Sequence, residues 1–297
     1  MKHPVALLTL AALLAGGASA APKVDPATPK DALPAGGGWT LVFSDEFNRP
    51  GLPDPAKWRY EEGWVRNREA QWYTKADPSN TNCQDGLLHL TGRKLDTPRP
   101  NPYLNKKGAP WYYDPTRPTI DYTSGSIETR GLFDFQYGRV DVRARLPQGQ
   151  GVWPAIWTLG SKGRHPACGE IDIMEYVWSS PQSVWSTLHF PGRETIPTSQ
   201  RSGAHTGPDV QDGRFHLYTM EWDAEKMVFS FDNVPYYTYP LDRANQPDGS
   251  NPFRQPHYLK LNLALGTEHN WGGRLDPAIL PQTFAVDYVR IYQKNPR

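Results

Sequence analysis

Three carboxylates crowd into six residues, Glu170-Ile171-Asp172-Ile173-Met174-Glu175, of a segment whose apolar pattern is that of a half-buried strand. Ile171 and Ile173 alternate with Glu170 and Asp172, so one face is apolar and the other acidic. Strict alternation would turn Met174 to the acidic face and Glu175 to the apolar one. One extra residue, a β-bulge, returns Glu175 to the side of the other two. Three acids on one surface repel one another and are costly to desolvate, so they are expected where the charges are used. Two carboxyl groups flanking a sugar are what glycoside hydrolysis requires. The competing reading is a bulged strand whose acids bind a cation or cap loops.

The elements around this segment are short alternating runs separated by turn residues. They are Trp39 to Phe43, Gly86 to Leu90, Ser124 to Arg130, Gly138 to Leu146, Val152 to Leu159 and Glu170 to Val177. Val184 to Phe190, Phe215 to Trp222, Met227 to Phe231, Tyr258 to Leu265 and Phe284 to Tyr292 follow. Regular short strands with almost no helical period, and 30 Pro with 26 Gly to make the turns, predict an all-β sandwich. Asp96 to Tyr122 and Gly192 to Gly213 read as long loops, of the kind that carry function or move.

Several strands carry a second pattern. Trp153, Ala155 and Trp157 share a face, as do Trp185, Thr187 and His189. Leu259, Leu261, Leu263 and Leu265 share one face, with Lys260, Asn262 and Ala264 on the other. One face of this sheet is therefore aliphatic and packs on a partner sheet. The other carries Trp, His, Asn and carboxylates, the pattern of a concave binding surface. His189 on that face is a candidate partner for a catalytic carboxylate, or a structural strand histidine. Asn67, Glu69 and Gln71 alternate and are candidates to bond sugar hydroxyls, or belong to a solvated edge strand.

The chain of 297 residues, 38% hydrophobic, suffices for one large β domain. Lys2 and His3 precede an apolar run from Val5 to Leu14 and a Gly16-Gly17-Ala18-Ser19-Ala20 end. This predicts an export signal over residues 1–20, a flexible leader over 21–38 and one domain over 39–297. No Cys near Ala20 suggests a lipid anchor, and the apolar run is too short to span a bilayer, so no membrane anchor is expected. With 32 basic and 31 acidic residues the net charge is +1, which gives no electrostatic footprint for nucleic acid or an anionic membrane. A polymeric partner should be neutral, and a monomer is expected. Eleven Trp, 15 Tyr and 10 Phe would suit stacking on sugar rings as well as core filling. Cys83 and Cys168 are the two cysteines; in an exported chain they form a disulfide bracing the acidic strand, or stay as buried thiols.

Gly169-Glu170-Ile171-Asp172-Ile173-Met174-Glu175-Tyr176 resembles the ExDxxE signature of glycoside hydrolase family 16, in the form of its laminarinase-like, endo-β-1,3-glucanase branch. Ser44 to Phe47, Asn67 to Thr74, Tyr122 to Gly125, Gly149 to Trp157, Phe215 to Trp222 and Val286 to Tyr292 are similar to laminarinase segments in the same order. The resemblance covers nearly all of residues 39–297. It implies a concanavalin-like β-jelly-roll sandwich with a concave glycan-binding cleft. It also implies hydrolysis of internal β-1,3 bonds of a glucan with retention, which needs the two working carboxyl groups about 5–5.5 Å apart. By motif position Glu170 is the nucleophile, Glu175 the acid/base, and Asp172 lies between and assists. The charges of Glu170 and Asp172 are expected to raise the pKa of Glu175.

The same resemblance makes Trp153 and Trp157 candidates for stacking beside the scissile bond. Trp271, in a longer Gly/Asn-rich loop than the family usually has, is a candidate at the cleft edge. No cofactor is expected for catalysis. Family members often hold one structural calcium, for which Asp287, placed by alternation on the face of Val289 and Ile291, and Glu46 are candidate ligands. Mixed-linked glucan or a galactan such as agar is the neighbouring substrate reading, and the catalytic strand does not separate them. A non-catalytic glucan-recognition protein is the rival of another class; such relatives lack the carboxylates that are present here.

Overall fold

The computed structural model describes residues 22–29, 34, 37–104, 117–192 and 198–295. The expected export signal at residues 1–20 lies outside the described residues, as do parts of the leader and of both long loops.

Two sheets form a β-jelly-roll sandwich. The larger runs, in spatial order, β15 (Val234–Pro240), β14 (Lys226–Phe231), β13 (His216–Trp222), β8 (Gly138–Arg145), β17 (Gln282–Lys294), β5 (Leu87–Pro100), β6 (Thr119–Ser124) and β3 (Trp72–Tyr73). To it β1 (Trp39–Asp45) adds on β17 and β4 (Thr81–Gln84) on β5. The smaller runs β12 (Thr198–Thr206), β11 (Ser183–Pro191), β10 (Glu170–Tyr176), β9 (Val152–Gly160), β16 (His257–Leu265), β7 (Ser126–Glu128) and β2 (Arg59–Tyr60). All pairings are antiparallel except β3 with β6.

The core sits between the sheets and is filled by alternate residues of each. Val140, Val142 and Ala144 of β8 and Val289 and Ile291 of β17 meet Ile171 and Ile173 of β10 and Leu259, Leu261 and Leu263 of β16 in one buried cluster. Burying each Leu or Ile contributes about 1.5–3 kcal/mol. That anchors the smaller sheet while its opposite face carries acids.

Three organisational expectations need correction. Residues 22–29 of the leader are docked: Lys23 exchanges backbone hydrogen bonds with Val42 and Ser44 of β1, and Asp25 receives the Glu46 N–H and lies 3.5 Å from Lys57 Nζ. Composition suggested flexibility, but backbone pairing needs no particular side chain. The segment read as a polar loop from Gly192 to Gly213 contains β12, paired with β11 over nine residues as the outermost strand of the smaller sheet. The arms of the Asp96–Tyr122 insertion continue the ladder, with Arg99 opposite Ile120 and Pro100 opposite Thr119.

The cysteine alternatives resolve to thiols: Cys83, on β4 of the larger sheet, and Cys168, at the entry to β10 of the smaller, are free and buried. Asp287 does not share a face with Val289 and Ile291. The β17–β8 register shifts between Val286 and Tyr288, and the displaced Asp287 carboxylate pairs with Arg143. Glu46 gives both its oxygens to Arg290 at 2.9 Å, and one also to Thr28. Each carboxylate is thus neutralised by its own arginine, and the pair does not fit a calcium site, which needs several free oxygen ligands converging on one point.

Candidate active site

β10 carries the bulge. Along β11, Asp172 stands opposite Thr187 and Glu175 opposite Trp185; along β9, Asp172 stands opposite Trp157 and Met174 opposite Ile156. One residue too many on β10 sends the neighbours Ile173 and Met174 both into the core. Glu175 therefore turns to the face of Glu170 and Asp172.

That face floors a cleft of about 830 Å³ lined by Glu170, Glu175, Trp153, Trp157, Trp185, Trp271, His165, His189, Arg66 and Asn67, with Lys260 and Tyr258 at its floor. Asp172 lies in a recess of the same cleft beside Asn262 and Ala264.

Their surroundings pull the pKa values of the three acids apart. Burial raises Glu175, the Glu170 charge raises it further, and hydrogen bonds from Trp153 and Thr187 offset this in part; the result is about 8. Trp153 Nε1 donates to Glu175 Oε1 at 3.0 Å. Asp172 is raised well above the usual range by burial, by the charges of Glu175 and Glu170, and by its hydrogen bond to Glu170. It is therefore a neutral donor. Its effect on Glu175 is not the charge repulsion expected from sequence, because burial and Glu170 supply the shift. Burial would raise Glu170 too, but the hydrogen bond from His165, the charges of His189 and His165, and Arg66 together hold it below the ordinary value. A carboxyl group held towards its ionised form thus faces the same cleft as one held towards its protonated form.

The other expected residues divide. Trp153 is half-buried and meets Trp271 edge to face at 5.7 Å; Trp271 is exposed and also meets Trp185, at 6.3 Å. These three make an aromatic wall on one side of the acids. Trp157 is only 6% exposed, donates to Asn262 Oδ1 at 2.7 Å and lies under the cations of Arg66 and Lys260. It supports the floor more than it offers a stacking face. His189 Nε2 stands 3.4 Å from Asp172 Oδ2, a polar contact that falls short of a hydrogen bond, since that oxygen has no hydrogen-bond partner, and burial pushes the His189 pKa down.

The alternation expected over Asn67, Glu69 and Gln71 is absent. Asn67 and Arg68 take left-handed backbone in a turn, and no strand is formed there. Asn67 is exposed at the cleft and reaches Glu69 Oε1 at 3.3 Å. Glu69 is buried, sharing its Oε2 between Gln71 at 2.7 Å and Tyr73 at 3.2 Å. Gln71 stands behind it, with its carbonyl taken by the Leu265 N–H, and does not face the cleft.

Sequence reasoning missed three participants. His165, in the loop before β10, lies with Nε2 3.0 Å from Glu170 Oε2. Its only signal was a histidine five residues before the first acid. Arg66 grips Glu61 through both oxygens at 2.9 and 2.8 Å and covers Trp157 at 4.7 Å. Lys260 is buried on β16 between Glu61, at 2.8 Å, and Glu128. Trp185 was placed on the right face by alternation but not marked as a site residue.

Residues 67–289 match the family model described as glycosyl hydrolases family 16. A beta-glucanase of Rhodothermus marinus is 37% identical over 268 residues, covering 86% of this chain and 85% of the relative. The X-ray structure of a laminarinase from Rhodothermus marinus superposes with a TM-score of 0.73 at 37% identity, covering 87% of this chain and 98% of that one. A structure described under endo-acting O-glycanases of the human gut microbiota, which initiate mucin breakdown, superposes with a TM-score of 0.79 at 36% identity, covering 90% and 94%.

Proposed function

The chain belongs to family 16 of the glycosyl hydrolases and is a glycoside hydrolase, and on that premise we propose that it is an exported, retaining endo-β-1,3-glucanase acting on laminarin-type β-glucan. The observation that carries this reading is the bulged β10, which turns Glu170 and Glu175 to one cleft with opposed protonation. The laminarinase similarity supports the choice of glucan. The composition of residues 1–20 supports export. Among the described residues no helix is long and apolar enough to cross a membrane.

In this reading Glu170 attacks the anomeric carbon as the bond to the leaving oxygen breaks, and that oxygen takes the Glu175 proton. Once Glu170 is esterified its charge is gone, and the repulsion that held the Glu175 proton falls. Glu175 is then the better acid and exists as the base that takes a proton from water. Water attacks the same carbon, frees Glu170 and retains the configuration. Asp172, neutral and hydrogen-bonded to Glu170, aims the nucleophile and shares its proton with it. The Trp153, Trp185 and Trp271 wall offers apolar faces to sugar rings.

Glu170→Gln tests the assignment. It should lose most turnover on laminarin while still binding it, because shape is kept and the attacking charge removed. Turnover near the parental rate would end the role of Glu170. NMR of the first product should show the β-anomer.

A second substrate reading is a glycan other than β-1,3-glucan, favoured by the superposition on the O-glycanase structure. Reducing-sugar release from laminarin, lichenan, agarose and mucin O-glycans, compared side by side, separates the two.

A further inference from the structure

We propose that His165 is a positioning residue for the nucleophile: carried on a braced loop, it aims Glu170 and keeps it ionised through a hydrogen bond to Oε2. This rests on the reading of Glu170 as nucleophile.

The loop from Ser161 to Gly169 has little freedom. Ser161 N–H bonds the Pro256 carbonyl at 2.8 Å and Gly160 N–H the Gly169 carbonyl at 3.1 Å. Gln255 ties both arms, accepting from Lys162 N–H at 3.2 Å and donating to the Cys168 carbonyl at 2.8 Å. The arms are so close that a Cβ at Gly160 would lie 1.9 Å from the Cys168 carbonyl oxygen. The two turn bonds Cys168 N–H to Arg164 and Gly169 N–H to Pro166, both 3.0 Å, close the tip around His165. The imidazole is thus presented to Glu170 by a fixed frame.

What the contact accomplishes follows from its surroundings. Glu170 shares its cleft with Glu175, Asp172, His189, Arg66, Arg130 and the Lys260–Glu61 pair. Burial beside Glu175 opposes ionisation of Glu170. Asp172 is a neutral donor. Arg66 is engaged by Glu61, and His189 faces Asp172 at 3.4 Å. Among these groups His165 makes the direct hydrogen bond from a ring able to carry charge, and its side chain is 47% exposed, open to the cleft. The bond favours the carboxylate over the acid. It also fixes the orientation of the attacking oxygen, and small misplacements of reacting atoms are costly. When Glu170 becomes an ester its charge is lost and the bond weakens, so His165 serves the free enzyme and the glycosylation step.

The test compares His165→Ala and His165→Gln on laminarin oligosaccharides, with pH profiles of kcat/KM. For His165→Ala, kcat should fall about tenfold or more from lost aim, with KM changed less than about threefold. Its acid limb should move up by about one pH unit or more, because Glu170 loses its main stabiliser. His165→Gln keeps a donor of similar reach and should recover most of kcat. An acid limb that stays in place, a loss expressed only in KM, or a Gln variant no better than Ala would each overturn the proposal. Melting temperature controls for the fold; if Ala loosens the loop, His165→Leu, closer in volume, takes its place. Glu170→Gln assayed alongside separates the two readings: parental activity there fails the nucleophile, whatever His165 does.

Discussion

The indole N–H of Trp153 donates to Glu175 Oε1 at 3.0 Å, so the residue that walls the cleft also bears on the acidity of a carboxyl group inside it. A hydrogen bond to the carboxylate favours ionisation and works against the burial that raises Glu175. Trp153→Phe keeps an aromatic face but removes the donor. Glu175 should then hold its proton to still higher pH, and the alkaline limb of kcat/KM should move up. An unmoved limb would mean that the bond is not made in solution.

The pH profile of the parent follows from the two acids. The proposed mechanism needs Glu170 ionised, and its pKa lies below the ordinary glutamate value of 4.5; it needs Glu175 protonated, and its pKa is pushed up to about 8. The profile of kcat/KM should be bell-shaped, with an acid limb below pH 4.5 and an alkaline limb near pH 8. An alkaline limb near pH 5 would contradict the site's electrostatics.

The same shift bears on stability. Between the unfolded value of 4.5 and the folded value of about 8, the native state binds more protons than the unfolded chain, so stability falls as pH rises through that window. Glu175→Gln removes the titration. It should match the parent in melting temperature near pH 4 and exceed it by about 2 °C or more near pH 8. Equal melting temperatures at both pH values would argue that Glu175 ionises freely in the fold.

Lys260 carries the floor of the cleft. It is 2% exposed and lies between Glu61 and Glu128. Lys260→Met leaves Glu128 buried without its cation and should cost about 3–5 kcal/mol, read from denaturant unfolding. A loss below about 1 kcal/mol would show that water reaches the network.

Cys83 and Cys168 should both react with a thiol reagent in guanidinium without prior reduction. Neither should react at an appreciable rate in the native fold, where both are buried. A single mass about 2 Da lighter than the thiol form would instead mean a bridge (about 1 Da per proton lost).

How far the fold could be read from the sequence depended on whether an element carries apolar residues at every second position to turn toward the core. β8, β10, β16 and β17 do, and their apolar alternation announced them within a residue or two. β12 does not. Thr198–Thr206 is an edge strand of polar and small residues, held by its backbone ladder to β11, and such pairing leaves no period in the sequence. The docking of residues 22–29 escaped for the same reason. Asn67 to Gln71 erred in the other direction: its alternation of polar residues resembled a strand, while two left-handed residues make it a turn.

The acidic strand, its bulge and the side to which Glu170, Asp172 and Glu175 turn are legible in the residue order, because a face along a strand is set by neighbours one and two residues away. What those acids meet is fixed by the packing of distant segments. His165 reaches Glu170 from a loop, Trp153 reaches Glu175 from the adjacent strand, and Arg66 and Lys260 converge on Glu61 from segments nearly 200 residues apart in the chain. Protonation states follow from burial and from such contacts, and neither exists until the sheets have closed on one another.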